Sequence, residues 1–113
     1  MTQLPDGTRL ENWTGVRIRF TDIEAGVNID IPVEAGGPAR VRMDHEKILG
    51  SKYITRTVFG EDDNLPDPKD GVYLIVSGVF KSLYPERDDL VVPNMIIRGQ
   101  QEYKVVACQG FAI

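Results

Sequence analysis

Gly71 Val72 Tyr73 Leu74 Ile75 Val76 Ser77 Gly78 Val79 Phe80 is the stretch on which the fold turns. The run from Val72 to Val76 has no polar interruption except the Tyr73 hydroxyl, and such a run reads as a central strand covered on both faces. Ser77 Gly78 ends it. Val79, Phe80 and Leu83 then recur at helical spacing and Pro85 stops the segment, which predicts one short helix capped by Ser77. A helix N-terminus presents unpaired backbone N–H groups and a partial positive charge, so a small anion could dock at this junction. Charge returns just beyond it, at Arg87 Asp88 Asp89.

Working toward the N-terminus, Glu61 to Gly71 carries Asp62, Asp63, Asn64, Pro66, Pro68 and Asp70 and reads as a surface loop with extended, polyproline-like backbone. Tyr53 to Phe59 is rich in β-branched and aromatic residues and predicts a strand, with Ile54, Arg56 and Val58 on one face. An arginine between two aliphatics must reach a partner or extend to solvent, which singles out Arg56. Ala39 to Asp44 predicts another strand after the Glu34 to Pro38 loop. Val27, Ile29 and Ile31 alternate with polar residues, as do Val16, Ile18 and Phe20, and the turn at Glu24 Ala25 Gly26 makes the two a hairpin. Residues 1–13 are polar and read as a flexible end or an edge strand.

Toward the C-terminus, Leu90 Val91 Val92 leads into a turn at Pro93 Asn94. Met95 to Arg98 and Tyr103 to Ala107 read as a closing hairpin across Gly99 to Glu102. The expectation is a mainly β (α+β) fold: a small mixed or antiparallel, barrel-like sheet of about six or seven strands with one short helix, in a single domain spanning 1–113.

The totals narrow the function classes. The chain has 113 residues, 42% hydrophobic and 27% charged, so one core forms without metals or disulfides. A net charge of −4 disfavours broad phosphate-backbone contact, and no nucleic-acid partner is expected. A few arginines can still hold one phosphate ligand locally. The acids are interleaved with Lys and Arg, and the densest cluster, Glu61 Asp62 Asp63, is short, which argues against mimicry of nucleic acid. No leader segment or membrane-length apolar run stands out, which predicts a cytoplasmic protein with no membrane partner.

One His and one Cys offer no pair at ligand spacing, so neither a metal nor a cofactor is expected. His45, between Asp44 and Glu46, reads as a solvated histidine, and Cys108 as a buried, inert thiol. No nucleophile elbow or phosphate-binding glycine pattern is present, so no catalytic residue is assigned. Asp88 and Asp89 point to opposite faces if extended. Two arrangements stay open. In one, Asp89 faces solvent while Arg87 or Asp88 makes a local salt bridge. In the other, Arg87 and Asp88 converge with the Ser77 cap, Arg87 holding an anion and Asp88 orienting it or accepting from a ribose hydroxyl.

Ala39 Arg40 Val41, Arg56 to Glu61 (RTVFGE), Leu65 Pro66 Asp67 Pro68, Gly71 with Tyr73 through Ser77, Arg87 Asp88 Asp89 with Pro93, and the Cys108 region follow one another in an order and spacing that resembles a group of small proteins encoded by bacteriophages and prophages. The likeness runs from about Pro32 to Phe111. It implies a phage gene product made in the bacterial cytoplasm and singles out Arg56, Glu61, Ser77, Arg87 and Asp88. By analogy with counter-defence factors of this size, it implies a non-catalytic binding protein, a homo-oligomer, that sequesters a phosphate-containing nucleotide immune signal. The ligand site would comprise Arg56, Glu61, Ser77, Gly78, Arg87 and Asp88. The alternatives are a protein-binding inhibitor of a host defence enzyme, acting through a sheet edge or the acidic loop, and a phage structural or assembly component.

Overall fold

The computed structural model describes residues 1–97 and 105–113, and of residues 61–63 the backbone alone. The chain order is β1 (Thr2–Gln3), β2 (Arg9–Asn12), β3 (Arg17–Asp22), β4 (Val27–Ile31), β5 (Arg40–Lys47), β6 (Thr55–Asp63), β7 (Val72–Ile75), α1 (Gly78–Ser82), β8 (Leu90–Ile96) and β9 (Val105–Ala112). Seven strands form a mixed sheet in the order β1-β2-β7-β8-β9-β3-β4, and β5 and β6 form a separate antiparallel pair. The fold is mainly β, as expected.

β7 takes the central place its apolar run demands, parallel to β2 on one side and to β8 on the other. Its alternate residues face two cores. Ile75 joins Leu4, Leu10, Ile18, Ile31, Val91 and Cys108 in an interior cluster flanked by Phe20, Ile29 and Phe111. Val72, Leu74 and Val76 pack with Leu90 and Phe80 of α1 in a second cluster on the opposite face. Helix α1 is a lid of five residues that buries Phe80 and little else.

The β3–β4 hairpin forms as expected, with Ile18 opposite Ile31 and Asp22 opposite Val27, around Gly26 at φ +67°. β3 also runs parallel to β9. The sheet folds back on itself where Asn12, closing β2 beside the edge strand, bridges Val33, just beyond β4, and the Glu34 N–H donates to the Asn12 carbonyl at 2.9 Å. That junction rolls the sheet into a nearly closed barrel around the interior cluster.

Three expectations need correction. Within residues 1–13 only β1 is an edge; β2 is the second strand, and its Leu10, Glu11 and Asn12 are buried because β7 pairs along its length. Pro93 is no turn but lies within β8, opposite Phe111. β8 pairs with β7 only through Leu90 and Val91, so at Pro93 it has a single neighbour, β9, and the missing N–H removes no bond on the β7 side. The loop begins at Asn64 rather than Glu61, since β6 pairs with β5 as far as Asp63 opposite Arg40. The mixed sheet has the seven strands expected, with β5 and β6 as a separate pair beside it. The connection through Gly99 to Glu102, with its flanks Arg98 and Tyr103 to Lys104, lies outside the described residues, but β8 and β9 do pair antiparallel.

β5 and β6 depart from the barrel as an arm. Its root is seated: Ala39, Val41 and Leu65 pack against the second cluster, the Ala39 N–H donates to the Trp13 carbonyl and the Asn64 amide to the Pro38 carbonyl. A bulge sets Gly60 and Glu61 against Arg42, between the Val41–Asp62 and Met43–Phe59 pairs. Beyond it both faces of the pair are largely exposed. The arm stretches the molecule to 56 × 35 × 23 Å with a radius of gyration of 16.2 Å, against about 13 Å for a compact chain of this length. No helix among the described residues is long and apolar enough to cross a membrane.

Candidate functional site

The residues singled out from the sequence fall into three places. Ser77 caps α1, its hydroxyl accepting the Phe80 N–H at 3.2 Å, and Gly78 begins the helix with open space around it. The cap is as expected, but five residues make little more than one turn, so few peptide dipoles add at this terminus.

Arg87 is already engaged. Its Nε and Nη2 donate to the two carboxylate oxygens of Asp89 at 2.9 and 2.6 Å, and Nη2 also donates to the Pro66 carbonyl at 3.2 Å. Both side chains are only 16% exposed. The bonds from Arg87 hold the Asp89 carboxyl below its ordinary range, and Asp89 raises the guanidinium in turn. Lys81 donates to the Arg87 carbonyl, so helix, turn and the Pro66 loop are tied together at one point. Asp89 therefore orients the arginine, and Asp88 is the exposed neighbour; the sequence reading had the two reversed. Strand β8 starting at Leu90 fixes this choice: it turns Asp89, whose carbonyl accepts the Leu74 N–H, back toward the body.

Arg56 lies on the arm, exposed and opposite Glu46, where it borders a shallow recess with Lys47, Ile48 and Leu49. It belongs to the two-stranded pair, whereas Arg87 braces the barrel, and the recess beside Arg56 does not include Arg87. The Glu61 backbone is in β6, and its side chain is outside the described residues. His45 is exposed, and Cys108 is buried, with burial pushing its thiol pKa up.

Two features were missed from the sequence. The first is polar and internal. Asn12 is fully buried at the barrel seam: its amide donates to the Val16 and Ile31 carbonyls at 2.7 and 3.1 Å, and its oxygen accepts from the Thr14 N–H and hydroxyl. Beside it, Lys69 donates to both Glu11 oxygens at 2.7 and 2.8 Å, and the Trp13 indole N–H donates to one of them. Burial pushes the Glu11 carboxyl upward, but the bonds from Lys69 and Trp13 and the Lys69 charge outweigh it, leaving the pKa below its ordinary range. Every polar group of Asn12 is used, so this cluster is a brace.

The second is a cleft of about 480 Å³ opening over the interior core. Leu4, Leu10 and Val91 form its base, Phe20, Phe111 and Tyr73 its walls, and Asp6 and Asp22 are its charged lining residues. Phe20 and Phe111 stack at 6.3 Å, and Tyr73 is exposed. Among the described residues no cation lines it, so this cleft suits an apolar or cationic group rather than a phosphate. Alternation along β2 and β7 hints at a concave apolar face, but the parallel pairing that sets Leu10 opposite Tyr73 is invisible in sequence.

The outer arm is the third location. Leu49 and Tyr53 are 104% and 93% exposed, and Ile54, Met43 and Phe59 are also exposed. The turn between the strands is closed by hydrogen bonds: the Ser51 hydroxyl accepts the Tyr53 and Ile54 N–H groups at 3.1 and 3.2 Å. Comparison of the chain with protein-family models, with curated proteins and with solved structures finds no match.

Proposed function

We propose that this protein is a small, non-catalytic protein-binding module that works through its β5–β6 arm, in keeping with an assembly component of the phage type its sequence resembles. One observation carries the reading: an ordered two-stranded ribbon projects from a well-packed barrel and exposes Leu49, Tyr53 and Ile54 at its end. A two-stranded hairpin is marginal by itself in water, and exposed apolar groups in one place mark an interaction surface. Sequestration of a nucleotide has less support, because Arg87 is tied to Asp89 and Pro66 and the Ser77 hydroxyl is used by the helix.

The test is a photo-crosslinking residue at Tyr53, with a control at exposed Val79 on helix α1, in bacteria expressing the protein with the proteins of its own source. A polypeptide adduct at position 53 and none at 79 is the expected result. No adduct at 53, together with thermal stabilisation by a nucleotide that Arg56→Glu abolishes, would return the sequestration reading.

A further inference from the structure

The arm end and the Phe20–Phe111 cleft are complementary in chemistry, and the same chain carries both. Residues 47–56 contain Lys47, Lys52 and Arg56 and no acid. The chain's net charge is −4, so with +3 on this segment the remainder carries −7. The segment also presents Leu49 and Tyr53 almost wholly to solvent, in a turn already fixed by Ser51. The cleft is the converse: among the described residues it has aromatic and aliphatic walls, two carboxylates and no cation. Each carboxylate is positioned by its own turn, Asp6 accepting the Thr8 N–H at 2.9 Å and Asp22 the Ala25 N–H at 3.1 Å. The bonds from Thr8 also hold the Asp6 carboxyl below its ordinary range, so it is ionised at neutral pH.

We propose that the arm's partner is a second copy of this chain, whose Phe20–Phe111 cleft receives Leu49 and Tyr53 while Asp6 and Asp22 face Lys47 and Lys52. This inference rests on the reading of the arm as a protein-binding element and names its occupant. Arm and cleft are different surfaces, so the contact is head-to-tail: each copy offers one arm and one cleft, and the assembly closes into a ring or continues as a filament. A turn ordered before docking loses little freedom on binding, and opposite charges set the register of an otherwise greasy contact.

The experiment is sedimentation velocity over a concentration series on the intact protein, with near-ultraviolet circular dichroism to verify folding. Wild type is expected to associate. An arm-reversed variant, Lys47→Glu with Lys52→Glu, and a cleft-reversed variant, Asp6→Lys with Asp22→Lys, are each expected to weaken association by roughly tenfold or more. Mixed in equal amounts, they are expected to associate again, because each then offers the complement of the other. Ile113→Lys places a cation in the cleft from an exposed position, and it replaces the cleft-reversed variant if that one folds poorly. A wild-type protein that stays monomeric overturns the proposal. So does association that survives cleft reversal but not arm reversal, which would leave the arm as a binding element with another receptor. A Tyr53 adduct made only with a different polypeptide has the same meaning, whereas loss of all adducts at Tyr53 removes both readings.

Discussion

Strand β7 and strand β6 make the sharpest contrast in the molecule. Each is a run of residues that favour extended backbone, Val72 to Ile75 in one and Thr55 to Phe59 in the other. β7 has a parallel neighbour on both sides and a core on both faces; β6 has one neighbour and mostly solvent. The difference shows how little β-propensity says about burial: it makes a strand, and the neighbours decide what the strand is for. The barrel spends its apolar surface on stability. The arm leaves its own available.

That contrast breaks most severely at Phe80. Fully buried on the outer face of β7, it is expected to cost about 3 to 5 kcal/mol when changed to Ala, read as a fall in the urea midpoint. Asn12→Ala comes next, at about 3 kcal/mol, because it removes the amide bond to the Ile31 carbonyl, takes the acceptor from the Thr14 N–H and leaves the part-buried Val16 carbonyl with the Thr14 hydroxyl alone. A seam that tolerated this change would mean that the strands alone close the barrel.

Arg87→Ala is expected to cost about 2 kcal/mol at neutral pH through the lost bidentate pair with Asp89. The pH dependence has a definite sign. The Asp89 carboxyl is depressed below its ordinary 3.8 in the folded state, so its contribution is complete above that value and is lost as pH falls through the folded one. The gap between wild type and Arg87→Ala in urea titrations therefore narrows below about pH 4. A gap that stayed constant into strong acid would assign the loss to packing of the arginine stem instead.

The smallest effect on folding belongs to the arm end. Leu49→Ser with Tyr53→Ser is expected to change stability by no more than about 0.5 kcal/mol, since neither side chain is buried, while abolishing association. A large loss of stability there would show that the arm is part of the core after all.

Much of the frame was legible from residue pattern. The apolar run at Val72, the Ser77 cap, the β3–β4 hairpin and the mainly β class all follow from local periodicity and turn chemistry, which act over a few residues. The candidate site was less legible. The pattern pairs Arg87 with Asp88, whereas its partner is Asp89; which of the two carboxylates turns inward depends on where β8 begins, and that is set by its pairing with β7. Arg56 was marked as an arginine needing a partner or solvent; it is exposed on the arm.

The sequence by itself determined the strands β3 to β7 and where helix α1 starts, because these depend on side-chain period and backbone preference. Only the tertiary structure decided that Asn12 closes the barrel, that Pro93 continues a strand, that Phe20 and Phe111 meet over a cleft and that β5 and β6 stand apart from it. Those outcomes rest on pairings between residues far apart in the chain, and a linear pattern carries no record of which strand a given strand will choose.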